Sequence, residues 1–261
     1  MPVSSQTAGP SVTLNGVTKS YAGGTTAVDN VTLQVAGGSF VALVGSSGSG
    51  KSTLLKTINR LIEPSAGSVA IDGADVTAGD PFRLRRRIGY VFQNIGLFPH
   101  MTVAENVAIG LRLEGQKATA DRVAELLALV DLPADFAARM PDALSGGQRQ
   151  RVGVARALAT EPKLLLMDEP FGALDPVTRD QLGTAIRDLH DRLGLTTIMV
   201  THDMAEALIL ATRVLVMDQG RIVADATPKA LLAGEGGEAA QALVAVPRDQ
   251  MRRLSALEAG A

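Results

Sequence analysis

The stretch SFVALVGSSGSGKST (39–53) joins a strand pattern to a glycine-rich loop and decides the fold class. Residues 39–45 are an apolar run that predicts a strand, and residues 53–60 have a helical pattern. Between them, Gly45 to Ser52 match G-x-x-x-x-G-K-[ST] at every fixed position. Strand, loop and helix in this order are the context of a phosphate-binding loop, which disfavours a chance Gly/Ser loop.

The loop has the groups that hold a nucleotide. Its glycines let successive backbone N–H groups turn toward phosphate oxygens, and the following helix adds its positive end. Lys51 is placed to reach the β- and γ-phosphates, and the Ser52 hydroxyl to ligate Mg²⁺. The predicted nucleotide-binding residues are Gly45, Ser46, Ser47, Gly48, Ser49, Gly50, Lys51, Ser52 and Thr53.

Short apolar runs elsewhere alternate with helical patterns, which indicates an α/β fold with a largely parallel sheet. The segments with strand patterns are 87–93, 164–167 and 196–203 for the parallel sheet, 213–225 for a hairpin, and 11–21 and 30–38 for an antiparallel flank. We therefore predict a P-loop NTPase (RecA-like) parallel-sheet core with an antiparallel β flank and an inserted α-helical subdomain.

Helical patterns fill the insert. Thr102 and Glu105 form a T-x-x-E capping box that predicts a helix to about Leu113. A second amphipathic face is predicted from Val123, Leu126, Leu127 and Val130. The expected organisation is a disordered lead (1–10), a nucleotide-binding domain (11–230) made of a core (11–93 and 161–226) and a helical subdomain (94–160), and a short helical tail (227–261).

Composition limits the partners of the chain. The net charge of −2 gives no reason to expect nucleic acid as a ligand. The absence of cysteine excludes disulfides and cysteine-based zinc sites. The start MPVSSQTAGP lacks the pattern of a signal peptide, and no run approaches the ~20 apolar residues that span a bilayer. Any membrane role is therefore expected to come through a partner.

Polar side chains follow the predicted strands. Asp168 comes directly after a buried strand, where a carboxylate can hold Mg²⁺ through its water shell, and Glu169 is the natural general base for an attacking water. An ordinary solvated turn is the alternative for this pair. Gln93 and His202 also end strands, and parallel strands bring such ends to one edge. For His202 a γ-phosphate contact is favoured over a structural hydrogen bond.

The stretch LSGGQRQR (144–151) is a second glycine-rich loop. Ser145 and Gln148 form an S-x-x-Q capping box that predicts a helix to about Thr160. This can be pure structure, but a capped helix start with exposed N–H groups is also an anion site.

Five motifs together resemble those of a known family. The segments GSSGSGKST, LSGGQ, LLLMDEP, GALD (172–175) and THD (201–203), in this order, are similar to those of the ATP-binding subunit of an ABC transporter. The resemblance covers about residues 11–230. It implies two subunits facing head to tail, with each ATP between the P-loop of one and the LSGGQ of the other.

The resemblance also implies roles for single residues. Those contacting the partner's ATP would be Ser145, Gly146, Gly147 and Gln148. Asp175 would communicate across the same interface, although Asp175-Pro176 also fits an ordinary N-cap. Tyr21 would stack on adenine; its alternative is a strand-end tyrosine. Gln93 would ligate Mg²⁺ and sense a permease, whose cytoplasmic helix would enter a groove of the helical subdomain near IGLFPHM (95–101).

Within the family, residues 93–110, 167–182 and 197–208 are most similar to importers of osmoprotectants such as glycine betaine, carnitine or choline. Importers of other polar solutes, such as amino acids, are the alternative. About 35 residues follow Thr227, too few for the C-terminal regulatory pair of many such relatives. We expect a peripheral position on the cytoplasmic face of the cell membrane, and an indirect link to a solute-binding protein.

The predicted activity is ATP hydrolysis coupled to transport, with ATP and Mg²⁺ as ligands and Glu169, His202 and Lys51 as catalytic residues. A soluble ABC ATPase acting on DNA or ribosomes is disfavoured, because the chain has no long coiled-coil insert, zinc cysteines or second cassette. A small-molecule kinase using the P-loop alone would leave LSGGQ and His202 without a role.

Overall fold

A computed structural model of the chain describes residues 8–93, 96–172 and 174–259. Residues 1–7 of the expected lead, Asn94 and Ile95 of the helical subdomain, Ala173 of the GALD motif, and residues 260–261 of the tail lie outside this description. The described strands are β1 (Val12–Ser20), β2 (Thr26–Val35), β3 (Phe40–Val44), β4 (Ala66–Ile71), β5 (Ala74–Asp75), β6 (Ile88–Val91), β7 (Leu164–Asp168), β8 (Thr196–Val200), β9 (Arg213–Asp218) and β10 (Arg221–Ala226). The described α-helices are α1 (Lys51–Ile58), α2 (Pro81–Arg86), α3 (Val103–Leu113), α4 (Ala120–Ala128), α5 (Gly146–Leu158), α6 (Pro176–Leu193), α7 (Met204–Leu210), α8 (Pro228–Leu232) and α9 (Gly237–Ala259).

The main sheet has the order β10-β9-β3-β8-β7-β6. All neighbouring pairs from β9 to β6 are parallel, and β10 is antiparallel to β9. Every residue of β3, β7 and β8 is buried, as expected for strands covered on both faces. The parallel sheet and the hairpin predicted over 213–225 are therefore confirmed.

A second, antiparallel sheet has the order β2-β1-β4-β5. The antiparallel flank is confirmed, but its second strand runs from Thr26 to Val35 and not over the predicted residues 30–38. The chain leaves β2 in a turn in which Gly38 has a φ of +77°, and this turn ends the strand early. Strands β4 and β5 were not predicted.

The two faces of the main sheet belong to two hydrophobic cores. On β3, Val41 and Leu43 pack with the antiparallel sheet and α1, whereas Phe40, Ala42 and Val44 pack on the side of the other helices. The alternation follows from the two-residue period of a strand. It places the P-loop helix between the two sheets.

The helical insert is built as predicted in its local details. Thr102 and Ser145 each form a complete capping box, at the starts of α3 and α5. The four apolar residues of the face predicted around α4, from Val123 to Val130, are all buried. They belong to the same core as β3 and β7, so the insert is continuous with the sheet.

Both ends of the described chain pack on this core. Gly9 donates its backbone N–H to the Gly194 carbonyl at 2.6 Å, and the Thr196 hydroxyl donates to the Pro10 carbonyl at 2.7 Å. Residues 8–10 of the expected lead are thus part of the packed domain, whereas residues 1–7 lie outside the description. In the tail, Leu231 and Val244 are fully buried. Among the described helices, none is long and apolar enough to cross a membrane.

Candidate functional site

The P-loop connects β3 to α1 and contains two glycines, Gly45 and Gly50, at which the surrounding backbone leaves no room for a side chain. A Cβ on Gly45 would lie 2.1 Å from the Met217 carbonyl oxygen, and a Cβ on Gly50 would lie 2.0 Å from that of Ala27. Gly50 also has a φ of +102° and is the N-cap of α1. The helix therefore begins at Lys51, two residues before the predicted start, because the loop ends in this glycine turn.

The side chain of Lys51 folds back onto the loop. Its Nζ donates to the carbonyl oxygens of Gly45 at 2.8 Å and Ser46 at 2.7 Å, and the residue is buried. Burial lowers the pKa of Lys51, although Glu169 and Asp168 oppose this shift. The ammonium group is thus held by neutral acceptors at the point where the loop would hold an anion.

Asp168 closes the site beside Ser52. The Ser52 hydroxyl donates to Asp168 Oδ1 at 2.6 Å, and only 1% of the Asp168 side chain is exposed. Lys56 Nζ lies 3.2 Å from Oδ2, and the Tyr90 hydroxyl donates to Oδ2 at 3.4 Å. Burial and the Asp168 charge raise the pKa of Tyr90. This pairing balances a buried carboxylate with one cation.

Lys56 and Tyr90 were not predicted. Lys56 follows Ser52 by four residues on α1, so helical spacing could have found it. Tyr90 reaches Asp168 through the pairing of β6 with β7, which the local sequence does not reveal.

Glu169 faces other partners. It has a φ of +48°, and its backbone N–H donates to the Val200 carbonyl of β8 at 2.9 Å. Its Oε2 accepts from the Gln93 amide at 3.1 Å and lies 3.5 Å from His202 Nδ1. The two consecutive carboxylates are thus separated, one beside α1 and one beside the ends of β6 and β8.

The predicted meeting of strand ends is confirmed. The neighbouring strands β3, β8, β7 and β6 are parallel, so the residues that follow them share one edge of the sheet. This edge brings together the P-loop, Asp168, Glu169, Gln93 and His202. The catalytic and ligand roles of these residues remain predictions.

The second glycine loop caps a helix and stays apart from the first. Ser145 Oγ accepts the Gln148 backbone N–H at 3.2 Å, and Gln148 Oε1 accepts that of Ser145 at 2.9 Å. Gly146 and Gly147 are the first two residues of α5. Over the described part of the chain, no hydrogen bond or ion pair joins 144–148 to 45–53. One chain therefore holds two separate phosphate-type loops.

Two more predicted residues lie on the surface. Asp175 is the N-cap of α6 and accepts the Thr178 backbone N–H at 3.0 Å; hydrogen bonds from Thr178 lower its pKa. Tyr21 is 42% exposed, and Lys19 Nζ lies 5.3 Å from its ring centroid. Both are accessible to a ligand or a partner.

A groove of about 340 Å³ separates α2 and β6 from the helical insert. Four of its lining side chains are large, apolar and exposed: Leu61, Phe82, Phe92 and Leu113. Tyr90 also lines the groove, and its ring lies 4.5 Å from that of Phe92. The predicted stretch 95–101 begins outside the described residues, and its described part, residues 96–101, does not line this groove.

Comparison with known proteins gives consistent matches. The family model described as ABC transporter matches residues 28–172. A choline transport ATP-binding protein of Bacillus subtilis is 51% identical over 87% of this chain and 60% of its own length. A carnitine transport ATP-binding protein of Listeria monocytogenes is 52% identical over 83% and 55%. The chain thus spans 55–60% of the length of these two relatives.

A solved structure shares the fold. It is a dimeric ATP-binding cassette in a post-hydrolysis state, bound to ADP and Pi, with 36% identity and a TM-score of 0.78. The match covers 83% of this chain and 98% of that chain.

Proposed function

Because the chain belongs to the ABC transporter family, we propose that it is an ATP-hydrolysing subunit that forms a dimer around two ATP molecules and powers a membrane permease. The observation that carries this proposal is the shared sheet edge, where the P-loop and Asp168 meet at 2.6 Å and Glu169 contacts Gln93 and His202. These are the groups that phosphoryl transfer to water requires.

The P-loop binds the triphosphate of ATP. Lys51 exchanges its present acceptors, the carbonyls of Gly45 and Ser46, for phosphate oxygens. The exchange is favourable because the Lys51 ammonium group gains the attraction of a negatively charged acceptor, which the neutral carbonyl oxygens do not offer. Tyr21, exposed at the end of β1, stacks on the adenine.

The donor atoms beside the P-loop fit Mg²⁺. Ser52 supplies a hydroxyl, Gln93 an amide oxygen and Asp168 a carboxylate that acts through water. No group of three or more His, Cys, Asp or Glu suited to a metal occurs in the described residues. Mg²⁺ needs no such cluster, since it takes one or two carboxylates together with substrate phosphates. When bound, it neutralises phosphate charge.

Glu169 acts as the general base. A water attacks the γ-phosphate in line, its proton passes to the Glu169 carboxylate, and ADP is the leaving group. The Gln93 amide and the backbone bond to Val200 hold this carboxylate in place. His202, which is 65% exposed, contacts the γ-phosphate.

The second copy supplies the missing half of each site. The start of α5 offers the N–H groups of Gly146 and Gly147 and the positive end of the helix to an anion, shaped by the Ser145–Gln148 capping box. That loop contacts the γ-phosphate held by the partner's P-loop. Asp175, at the start of α6, communicates across the same interface.

The groove beside β6 receives a cytoplasmic helix of the permease. Its exposed apolar side chains suit the apolar face of a helix. This contact keeps the subunit on the cytoplasmic face of the membrane. By similarity to the choline and carnitine transport relatives, the solute is an osmoprotectant, selected by the permease and a solute-binding protein.

The first test is Glu169→Gln. The variant is expected to bind ATP, to lose most hydrolysis and to accumulate as an ATP-bound dimer, because only the proton acceptor is removed. Light scattering with and without Mg-ATP measures the dimer, and phosphate release measures turnover. Near-normal turnover would exclude Glu169 as the base.

The transport role needs a second test. Expression with the neighbouring transport components should restore growth under osmotic stress when glycine betaine is supplied, and Lys51→Met should abolish the rescue. Rescue by a different polar solute, without rescue by betaine, would reassign the substrate. Failure to co-purify with an integral membrane protein would favour a soluble ABC ATPase.

A further inference from the structure

Arg179, near the start of α6, holds two loops together. Its Nη2 donates to the Leu174 carbonyl at 3.3 Å, and its Nη1 lies 3.5 Å from Asp203 Oδ2. Its Nε lies 3.5 Å from Glu206 Oε1. One guanidinium group therefore contacts the segment before α6 and the segment around the start of α7.

Each contact leads to a residue of the site. Leu174 directly precedes Asp175, the residue proposed to face the second copy. On the other side, the Thr201 hydroxyl donates to Glu206 Oε2 at 2.6 Å and accepts the Asp203 backbone N–H at 3.0 Å. Thr201 and Asp203 flank His202. The network thus connects Asp175 to His202 through Arg179.

The positive charge of Arg179 is needed to hold the neighbouring carboxylates of Asp203 and Glu206 together. The Glu206 side chain is only 11% exposed, and burial raises its pKa, with the nearby Asp203 charge adding to the shift. Without the guanidinium, two neighbouring carboxylates would be left to repel each other. The start of α7 would then shift, because Asp203 also caps that helix through Ala205.

The contacts also have room to tighten. Distances of 3.3–3.5 Å exceed the ≈ 2.7–2.9 Å of strong charge-assisted hydrogen bonds. Within the described residues, the buried Nε of Arg179 makes no hydrogen bond. A displacement of Leu174 that moves the guanidinium group would therefore also change its contacts with Asp203 and Glu206.

We propose that Arg179 is a positioning residue. It links the contact of Asp175 with the second copy to the orientation of the His202 side chain toward the γ-phosphate. The inference rests on the proposed function. It adds a route inside one chain by which dimer closure sets the geometry of hydrolysis.

The test compares Arg179→Ala with Arg187→Ala. Arg187 lies on the same helix with similar exposure, but it pairs with Asp191 and donates to the Leu210 carbonyl. We expect Arg179→Ala to lower kcat about tenfold, through a higher activation free energy of hydrolysis. The KM for ATP should change less than twofold. Arg187→Ala should keep both values, and Arg179→Lys should recover part of kcat.

A double-mutant cycle separates positioning from general loss of structure. Glu206→Gln keeps a hydrogen-bond acceptor for Thr201 but removes the charge partner, so it should also lower kcat. The double variant should be no worse than Arg179→Ala, because both changes break one network. Additive losses, or equal losses in the Arg179 and Arg187 variants, would overturn the inference. Absence of ATP hydrolysis by the wild-type chain would instead refute the proposed function.

Discussion

Gly147→Asp tests whether the second glycine loop acts on another chain's nucleotide. Gly147 is the second residue of α5, and the nearest atom to a Cβ added there is Leu174 Cδ2 at 3.1 Å. That atom is the end of a flexible side chain, so a shift of a few tenths of an ångström accommodates the substitution. The fold should therefore tolerate the change.

The expected effects on folding and on turnover have opposite signs. Replacing a helical glycine gains about 0.3 kcal/mol, and a carboxylate in the first turn gains about 0.3–1 kcal/mol from the helix dipole. In the dimer, a carboxylate ~4 Å from the partner's γ-phosphate costs about 4 kcal/mol per unit charge at an effective dielectric constant of ~20. That cost corresponds to a roughly thousandfold loss of turnover by the dimer.

The assay measures ATP affinity and turnover separately. Calorimetric titration of the isolated monomer should give wild-type affinity for Gly147→Asp, whereas steady-state phosphate release should fall to near background. Gly183→Ala is the matched control, because Gly183 is also helical and its added Cβ meets Leu210 at an ordinary 3.4 Å. Affinity lost as severely as in Lys51→Met, or turnover within about threefold of wild type, would refute the two-chain site.

Two further predictions concern the P-loop. Gly50→Ala should destabilise the fold by more than the ~1–3 kcal/mol of a strained backbone, because the added Cβ meets the Ala27 carbonyl. Gly48→Ala is the control: nothing lies within 4 Å of its Cβ, so it should cost only the strain of a φ of +80°. Equal unfolding midpoints of the two variants in urea would contradict this. Lys51→Met should abolish ATP binding yet raise the free energy of unfolding at neutral pH. Because burial lowers the folded-state pKa of Lys51, the unfolded state binds more protons between that value and 10.5. Wild-type stability relative to Lys51→Met should therefore rise with pH through this window, and denaturation curves without such a rise would contradict the prediction.

Much of the site could be predicted because its parts are local. The P-loop, the capping box at Ser145 and the strand ends at Asp168 and His202 each follow from a short pattern. Their meeting at one edge follows from parallel strands. Lys56 was missed although its spacing from Ser52 on α1 pointed to it.

Other features were not accessible from local patterns. The packing of Gly9 against Gly194 depends on a contact 185 positions away along the chain, and composition alone suggested disorder there. Strands β4 and β5 carry weak patterns, since four of the six residues of β4 are polar or small and only Val69 is buried. Their position was decided by the pairing of β4 with β1.

The sequence by itself determined the α/β class, the phosphate loop and the capped second loop. Glycine conformations, helix caps and apolar alternation act within a few residues, so they can be seen in a short stretch. Only the tertiary structure decided that Asp168 turns to Ser52, 116 residues away, while Glu169 turns to Gln93 and His202. That division depends on the order of the buried strands and on the left-handed backbone at Glu169, which packing of the whole sheet imposes.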